Sequence, residues 1–161
     1  MPATADAPDT YDLVILGGGS GGYACALRAA QLGLSVALVE RDKLGGTCLH
    51  RGCIPTKALL HAAEVADETR HAASIGVNAV LEGIDLDKVL SYQQGVVGRL
   101  HKGLQGLVAS AAITYVEGDG RLVDGQTVAV GDRILTGRQL VLATGSQPRS
   151  LPGLEISGRI M

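Results

Sequence analysis

The sequence has no phenylalanine and no tryptophan; aromatic residues amount to 2% of its 161 positions, all of them tyrosine. Any core must therefore be assembled from Val, Ile, Leu and Ala. Charge of one sign is also lacking: 14 basic residues against 16 acidic ones leave a formal −2. Neither a nucleic acid nor an anionic membrane is expected as a partner on that balance. No apolar run approaches the roughly 18 residues needed to cross a bilayer, so no membrane span is expected. Only three cysteines are present, an odd number that argues against a structural disulfide framework. The opening stretch from Met1 to Asp9 carries acids and two prolines but no basic segment. Residues 1–10 are therefore expected to be a disordered leader, not a signal peptide, and the setting a reducing cytoplasm.

What is present is 46% hydrophobic residues, enough to build the core of one domain. The run from Tyr11 to Leu16 is short and apolar and ends in a glycine-rich turn, as a buried parallel strand does. Ala24, Ala26, Leu27, Ala29, Ala30 and Leu32 then predict a helix from Ser20 that Gly33 stops. A second strand is expected over Ser35 to Glu40, completing one βαβ unit. Further along, helices are predicted over Thr56 to His71 and Leu86 to Ser110, with a linker through Gly76 and Gly83 between them. Gly95, Gly98, Gly103 and Gly106 each cost the second helix about 1 kcal/mol relative to Ala, and close packing against another element is one reason to retain them. A third core strand is expected over Ala112 to Glu117, a β-meander over Arg121 to Thr136, and a last buried strand over Gln139 to Ala143. The fold class is thus α/β, a parallel sheet with helices and a small meander.

Gly17, Gly19 and Gly22 fit G-x-G-x-x-G between the first strand and the first helix. The first glycine allows the sharp turn, the second lets the backbone approach a diphosphate, and the third lets helix and strand pack closely. Free N–H groups and the dipole at the helix start then favour the anion. Glu40 ends the second strand, where a carboxylate accepts both ribose hydroxyls of an adenosine and repels a 2′-phosphate. Strand, helix, strand and terminal acid in register predict dinucleotide binding, but not which dinucleotide.

Cys48 and Cys53 sit at the entry to the next helix, with Arg51 and Lys57 close in sequence. A helix start and nearby cations favour thiolate, and a second thiol close by can resolve a mixed disulfide. In a regular helix five residues leave the two side chains roughly 140° apart, too divergent to bond. If the pair bonds, the segment is distorted, and Gly52 with Pro55 offers the means. Two other readings remain at this point: a pair of inert buried cysteines, or a metal site from Cys48, His50, Cys53 and His61, whose spacing is not that of common zinc sites. Cys25 lies among alanines and is expected in the core. His61 and His71 are expected on helix surfaces.

The runs Gly45-Gly46-Thr47-Cys48 and Gly52-Cys53-Ile54-Pro55-Thr56-Lys57 resemble the active-site signature of class I pyridine nucleotide–disulfide oxidoreductases. The resemblance continues through Glu117-Gly118-Asp119-Gly120 and Ala143-Thr144-Gly145-Ser146 to Leu151-Pro152-Gly153, and is closest to the dihydrolipoamide-oxidising branch. It implies a Rossmann-like FAD-binding fold over residues 11–161, with FAD on the first glycine turn and no metal. It implies cofactor contacts from Gly17, Gly19, Gly22, Glu40, Arg41, Gly46, Thr47, Lys57, Gly118, Thr144, Gly145 and Ser146. Cys53 would face the flavin, Cys48 would exchange with the dithiol substrate, and Lys57 would approach the flavin N5 region. The implied reaction oxidises dihydrolipoamide with NAD, as part of 2-oxoacid dehydrogenase complexes whose lipoyl groups are the partners. Glutathione-, mycothione- and mercuric-ion-reducing branches share this half-chain, so they stand as alternatives, as does a non-catalytic FAD-binding fragment. The resemblance also implies that the rest of the FAD domain, an NAD domain and a dimerisation domain with an acid–base His–Glu pair lie beyond Met161. The 161 residues alone are accordingly expected to be inactive. His50 and Arg51 depart from the Asn-Val frequent at these positions in the family.

Overall fold

In the computed structural model, residues 9–154, 156 and 157 are described. The elements run β1 (Asp9–Leu16), α1 (Ser20–Gln31), β2 (Val36–Glu40), α2 (Gly46–His50), α3 (Cys53–His71), a 3₁₀ turn (Ala72–Ile75), α4 (Leu86–Ser110), β3 (Thr114–Glu117), β4 (Gly120–Leu122), β5 (Thr127–Val130) and β6 (Arg133–Leu142). One six-stranded sheet has the order β3-β2-β1-β6-β5-β4. The pairings β3–β2, β2–β1 and β1–β6 are parallel, and β6–β5 and β5–β4 are antiparallel. The expected α/β class with a parallel sheet and a small meander is what forms.

Alternation along the parallel strands assigns each strand two jobs. Leu13, Ile15, Val36 and Leu38 face the helices, meeting Ala26 and Ala29 of α1, Leu49 of α2 and Leu104 and Val108 of α4. Val14, Ala37, Val39 and Val116 face the other way and pack with Val128, Val130 and Leu135 from the meander. Every fully buried large side chain is Val, Ile or Leu. Cys25 packs at the edge of the helix-facing cluster, as its alanine surroundings suggest.

Three boundaries differ from the sequence expectation. Asp9 and Thr10 are not leader but the first residues of β1, paired with Leu135 and Thr136; residues 1–8 lie outside the described part. Ala112 adopts φ 54 as the chain leaves α4, so β3 starts only at Thr114. The expected last strand of the meander and the expected core strand are one ten-residue strand, β6. Residues 133–136 pair antiparallel with β5, while residues 135–142 run parallel to β1. Gly137 makes this possible, since a Cβ there would stand 3.0 Å from Val14 N and crowd β1. The four glycines of α4 have no close packing to explain them: a Cβ at Gly95, Gly98, Gly103 or Gly106 would meet nothing within 4 Å.

Candidate functional site

The C-terminal ends of β1, β2 and β6 form one rim, and backbone alone shapes most of it. Gly17 leaves β1 at φ 108, and its N–H donates to Val39 O at 2.8 Å. A Cβ on Gly17 would strike the Ala143 carbonyl, and one on Gly22 would strike the Gly17 carbonyl. These two glycines let strand ends and α1 close on one another. Gly19 is different. The nearest atom to a Cβ there is Gly46 Cα at 4.0 Å, whereas a Cβ on Gly46 would stand 2.7 Å from Gly19 Cα. Two backbones thus face each other with no side chain between them. Gly19 is also the N-cap of α1 and supplies no side-chain cap, which leaves the first N–H groups and the positive end of the helix dipole for an anion.

Glu40 closes the far side of this turn. Its Oε2 accepts the Gly18 N–H at 2.7 Å, and its Oε1 accepts the Asp42 N–H at 2.9 Å. A carboxylate with two backbone donors keeps lone pairs for further donors, so it retains capacity for ribose hydroxyls. Nearby, burial pushes the Tyr115 phenol up, and the carboxylates of Glu117, Glu40 and Asp42 add to that.

These parts enclose a continuous groove. At one end a recess of about 440 Å³ is lined by Leu16, Gly17, Glu40, Arg41, Gly118, Asp119 and Thr144. It shares Glu40, Arg41 and Thr144 with a recess of about 650 Å³ that adds Gly19, Gly46, Thr47, Gly145, Ser146 and Gln147. The groove then continues past Thr47, Gly145 and Ser146 to Ser20, Gly21, Cys48 and Pro148. Ten of the residues singled out in the sequence therefore line one groove: Gly17, Gly19, Glu40, Arg41, Gly46, Thr47, Gly118, Thr144, Gly145 and Ser146. Gly22 is not among its lining residues but packs beneath it, and Lys57 is exposed on α3. Sequence reasoning missed Asp42, Lys43 and Gln147, which follow Arg41 and Ser146 in the chain, while Asp119 belongs to a motif it quoted without assigning it a contact. The glycine cradle, the uncapped helix start and the oxygen acceptors at one end fit a dinucleotide.

At the other end of the groove the cysteine segment breaks as the spacing requires. α2 stops at His50, Arg51 and Gly52 make a turn, and α3 starts at Cys53. A Cβ on Gly52 would stand 3.2 Å from Thr47 O, so the turn is tight enough to favour glycine. Pro55 falls in the first turn of α3, where its missing N–H leaves no bond unmade. The result brings Cys48 and Cys53, both free thiols, close enough for Cys53 to perturb the Cys48 thiol. That proximity raises the Cys48 thiol above its ordinary value, with burial and the charge of Cys53 adding to it. The Cys53 N–H and the Lys57 ammonium oppose the rise without cancelling it. The backbone N–H and the cation lower the Cys48 thiol as expected, but its partner thiol outweighs them, because the two compete for the same negative charge.

The two other readings of this segment do not hold geometrically. Cys53 is exposed, not an inert core thiol. His50 Nε2 lies 2.9 Å from Leu44 O, and His61 pairs with Glu64 at 3.7 Å on the surface of α3. Among the described residues no three His, Cys, Asp or Glu side chains are placed to hold a metal ion. His71 also lies on a helix surface, its Nδ1 2.8 Å from Asp67 O. Arg51 turns away to pair with Asp42 at 2.8 Å. Among the described residues no helix is long and apolar enough to cross a membrane.

Comparison with known proteins gives one consistent relationship. The pyridine nucleotide-disulphide oxidoreductase family matches residues 11–160. A dihydrolipoyl dehydrogenase of Bacillus subtilis is 46% identical over 92% of the chain, and dihydrolipoyl dehydrogenase 2 of Haloarcula marismortui is 44% identical over 91%. A leghemoglobin reductase of Vigna unguiculata is 40% identical over 94%. The chain covers 34%, 32% and 30% of these relatives, about a third of their length in each case.

Proposed function

The chain belongs to the pyridine nucleotide-disulphide oxidoreductase family, and from that premise we propose that it is the FAD-binding, dithiol-bearing part of a dihydrolipoyl dehydrogenase. The observation that carries this reading is that Cys48 lies on the same groove as the glycine turn, with Cys53 near enough to perturb its thiol. A nucleotide-binding module has no need of paired thiols at the end of its groove.

On this reading Gly118 and Asp119 hold the adenine end, and Glu40 the ribose. Gly19, Ser20 and Gly21 donate backbone N–H groups to the diphosphate. Gly46 admits the cofactor backbone beside Gly19, and Thr144 to Ser146 form the opposite wall. Cys48 attacks or is attacked by the dithiol substrate. One substrate sulfur bonds to Cys48 as the Cys48–Cys53 bond breaks, and the second substrate sulfur then displaces Cys48. The substrate leaves as a cyclic disulfide, and the protein holds the electron pair as two thiols. Lys57 on α3 offsets negative charge developing at the pair. FAD, when bound, supplies the step that passes this pair onward as a hydride, with NAD as the final acceptor. Lipoyl groups of 2-oxoacid dehydrogenase complexes are then the partners, the full-length protein is a homodimer, and the setting is the cytoplasm.

The test uses the full-length protein. It should purify yellow, develop a long-wavelength band when partly reduced with dihydrolipoamide, and form NADH from dihydrolipoamide and NAD. Flavin without a dithiol-dependent band, or turnover with glutathione disulfide, mycothione or mercuric ion as electron acceptor in preference to the lipoamide couple, would reject this assignment.

A further inference from the structure

His50 and Arg51 stand between the two cysteines, and Arg51 is accounted for by Asp42. His50 is not. It is the last residue of α2, and its Nε2 lies 2.9 Å from the carbonyl of Leu44, which precedes the N-cap of the same helix. A carbonyl only accepts, so Nε2 carries the proton. The imidazole therefore closes a ring around the whole of α2, the five-residue helix that carries Cys48. Its ring then meets the ring of His101 on α4 edge to face, with centroids 4.9 Å apart and planes at 77°. In the same recess Gln93 of α4 reaches Pro55 O at 3.4 Å, two residues past Cys53. Both cysteine-bearing helices are thus fastened to α4 at one place.

The charges there have one sign. Lys43 from the β2–α2 loop, His50 from α2 and His101 from α4 line the recess, with Gln93 and Gln94 the only other polar side chains and no carboxylate among the lining residues. The nearest acid in sequence, Asp42, is held by Arg51 at 2.8 Å. Burial, then His50, then Lys43 hold the His101 imidazole below its ordinary value. The packing therefore favours a neutral ring at position 101. A second proton on the pair places like charges 4.9 Å apart beside an ammonium.

We propose that the His50–His101 contact is a clamp that positions Cys48 for bonding to Cys53, and that it releases when both imidazoles are charged. The reading of Cys48 and Cys53 as a redox pair underlies this. The disulfide demands a narrow range of Cα spacing that two thiols do not. Loosening α2 from α4 accordingly penalises the disulfide form more than the dithiol. Acidification from pH 7.5 to 5.5 should then shift the pair towards the dithiol, beyond the proton uptake common to every thiol couple.

The experiment equilibrates the full-length protein with reduced and oxidised glutathione across that range. Two glutathione thiols give up two electrons to reduce Cys48–Cys53 to two thiols and themselves become the glutathione disulfide. Acid quenching, alkylation and mass analysis of the segment then give the equilibrium constant. In wild type the disulfide's stability against glutathione should fall about tenfold further over the range than in His101→Gln or His50→Asn, the size of a one-unit linked shift. The two variants should give superimposable curves, so either one that folds suffices. Curves parallel to wild type mean that the pair only fills space, and they overturn the clamp. No disulfide at any pH overturns the redox-pair reading itself, which is a different result. The thiol equilibrium needs no turnover, so loss of dihydrolipoamide oxidation alone leaves the clamp standing.

Discussion

The Glu40 carboxylate accepts the Gly18 backbone N–H at 2.7 Å, tying the end of β2 to the glycine turn at the end of β1. On the proposed function, one side chain therefore shapes the turn that would cradle a diphosphate and offers oxygens to the ribose beside it. Glu40→Gln keeps an oxygen for Gly18 but loses the charge, and should weaken FAD about tenfold with little change in thermal stability. Glu40→Ala also strands the Gly18 N–H, and should cost about 2 kcal/mol of stability as well. Flavin-release titration and thermal unfolding of both variants check this; equal stability loss in the two would contradict the division of labour.

The glycines make a sharper pair of tests, because their environments differ so much. A Cβ at Gly22 meets the backbone carbonyl of Gly17, which has nowhere to go without opening the turn. Gly22→Ala should cost about 2–3 kcal/mol and abolish flavin retention. Gly106 is exposed in the interior of α4 with open space around it. Gly106→Ala should instead stabilise by up to about 1 kcal/mol through helix propensity. Chemical denaturation of both variants decides the matter, and a neutral Gly22→Ala would remove the packing role given to that glycine.

How much of this was legible beforehand depended on whether the cause was local. The G-x-G-x-x-G turn, Glu40 at a strand end and the need for a break between Cys48 and Cys53 follow from spacing, and each is found. The single strand β6 reads in sequence as two pieces separated at Gly137 and Arg138; β1 pairing across Gly137 carries the strand through. Strand character at Asp9 and Thr10 likewise comes from Leu135 and Thr136, far away in sequence. The net direction at Cys48 is not legible in the sequence, since the other cysteine outweighs the lowering by the Cys53 N–H and Lys57. Nothing in the sequence brings His101 to His50, because that meeting is made by how α4 crosses α2.

Asp12 contributes to the acid side of stability. Backbone and hydroxyl donation from Ser35, aided by Arg138 at 3.4 Å, holds its carboxyl below the ordinary value, against a smaller opposing effect of burial. A carboxyl lowered in the folded state contributes stability above its unfolded pKa, and that contribution fades as pH falls through the folded value. Melting temperature plotted against pH should therefore drop more steeply below about pH 4 in wild type than in Asp12→Asn. Ser35→Ala removes the hydroxyl donor but keeps the backbone N–H, so it should flatten the acid limb only in part. A parallel acid limb in both variants would show that the Asp12–Ser35 link contributes nothing through ionisation.

The dithiol yields a prediction in which the obvious substitution speeds a reaction. Cys48 is held protonated chiefly by the nearby Cys53 thiol, while the Cys53 N–H and Lys57 pull the other way. Cys53→Ala deletes the opposing thiol but keeps the backbone N–H and leaves Lys57 in place. The thiolate fraction of Cys48 at pH 7.5 should rise, and its alkylation by iodoacetamide should be several times faster than in the fully reduced wild type. Adding Lys57→Met to that variant removes the remaining cation and should slow the reaction again, with a shallower dependence on salt. Rates are read at Cys48 by mass analysis, so the changes at position 53 and in Cys25 reactivity do not enter. Slower alkylation in Cys53→Ala would mean that the helix start, not the partner thiol, sets the charge on Cys48, and the two-thiol competition described for this site would be wrong.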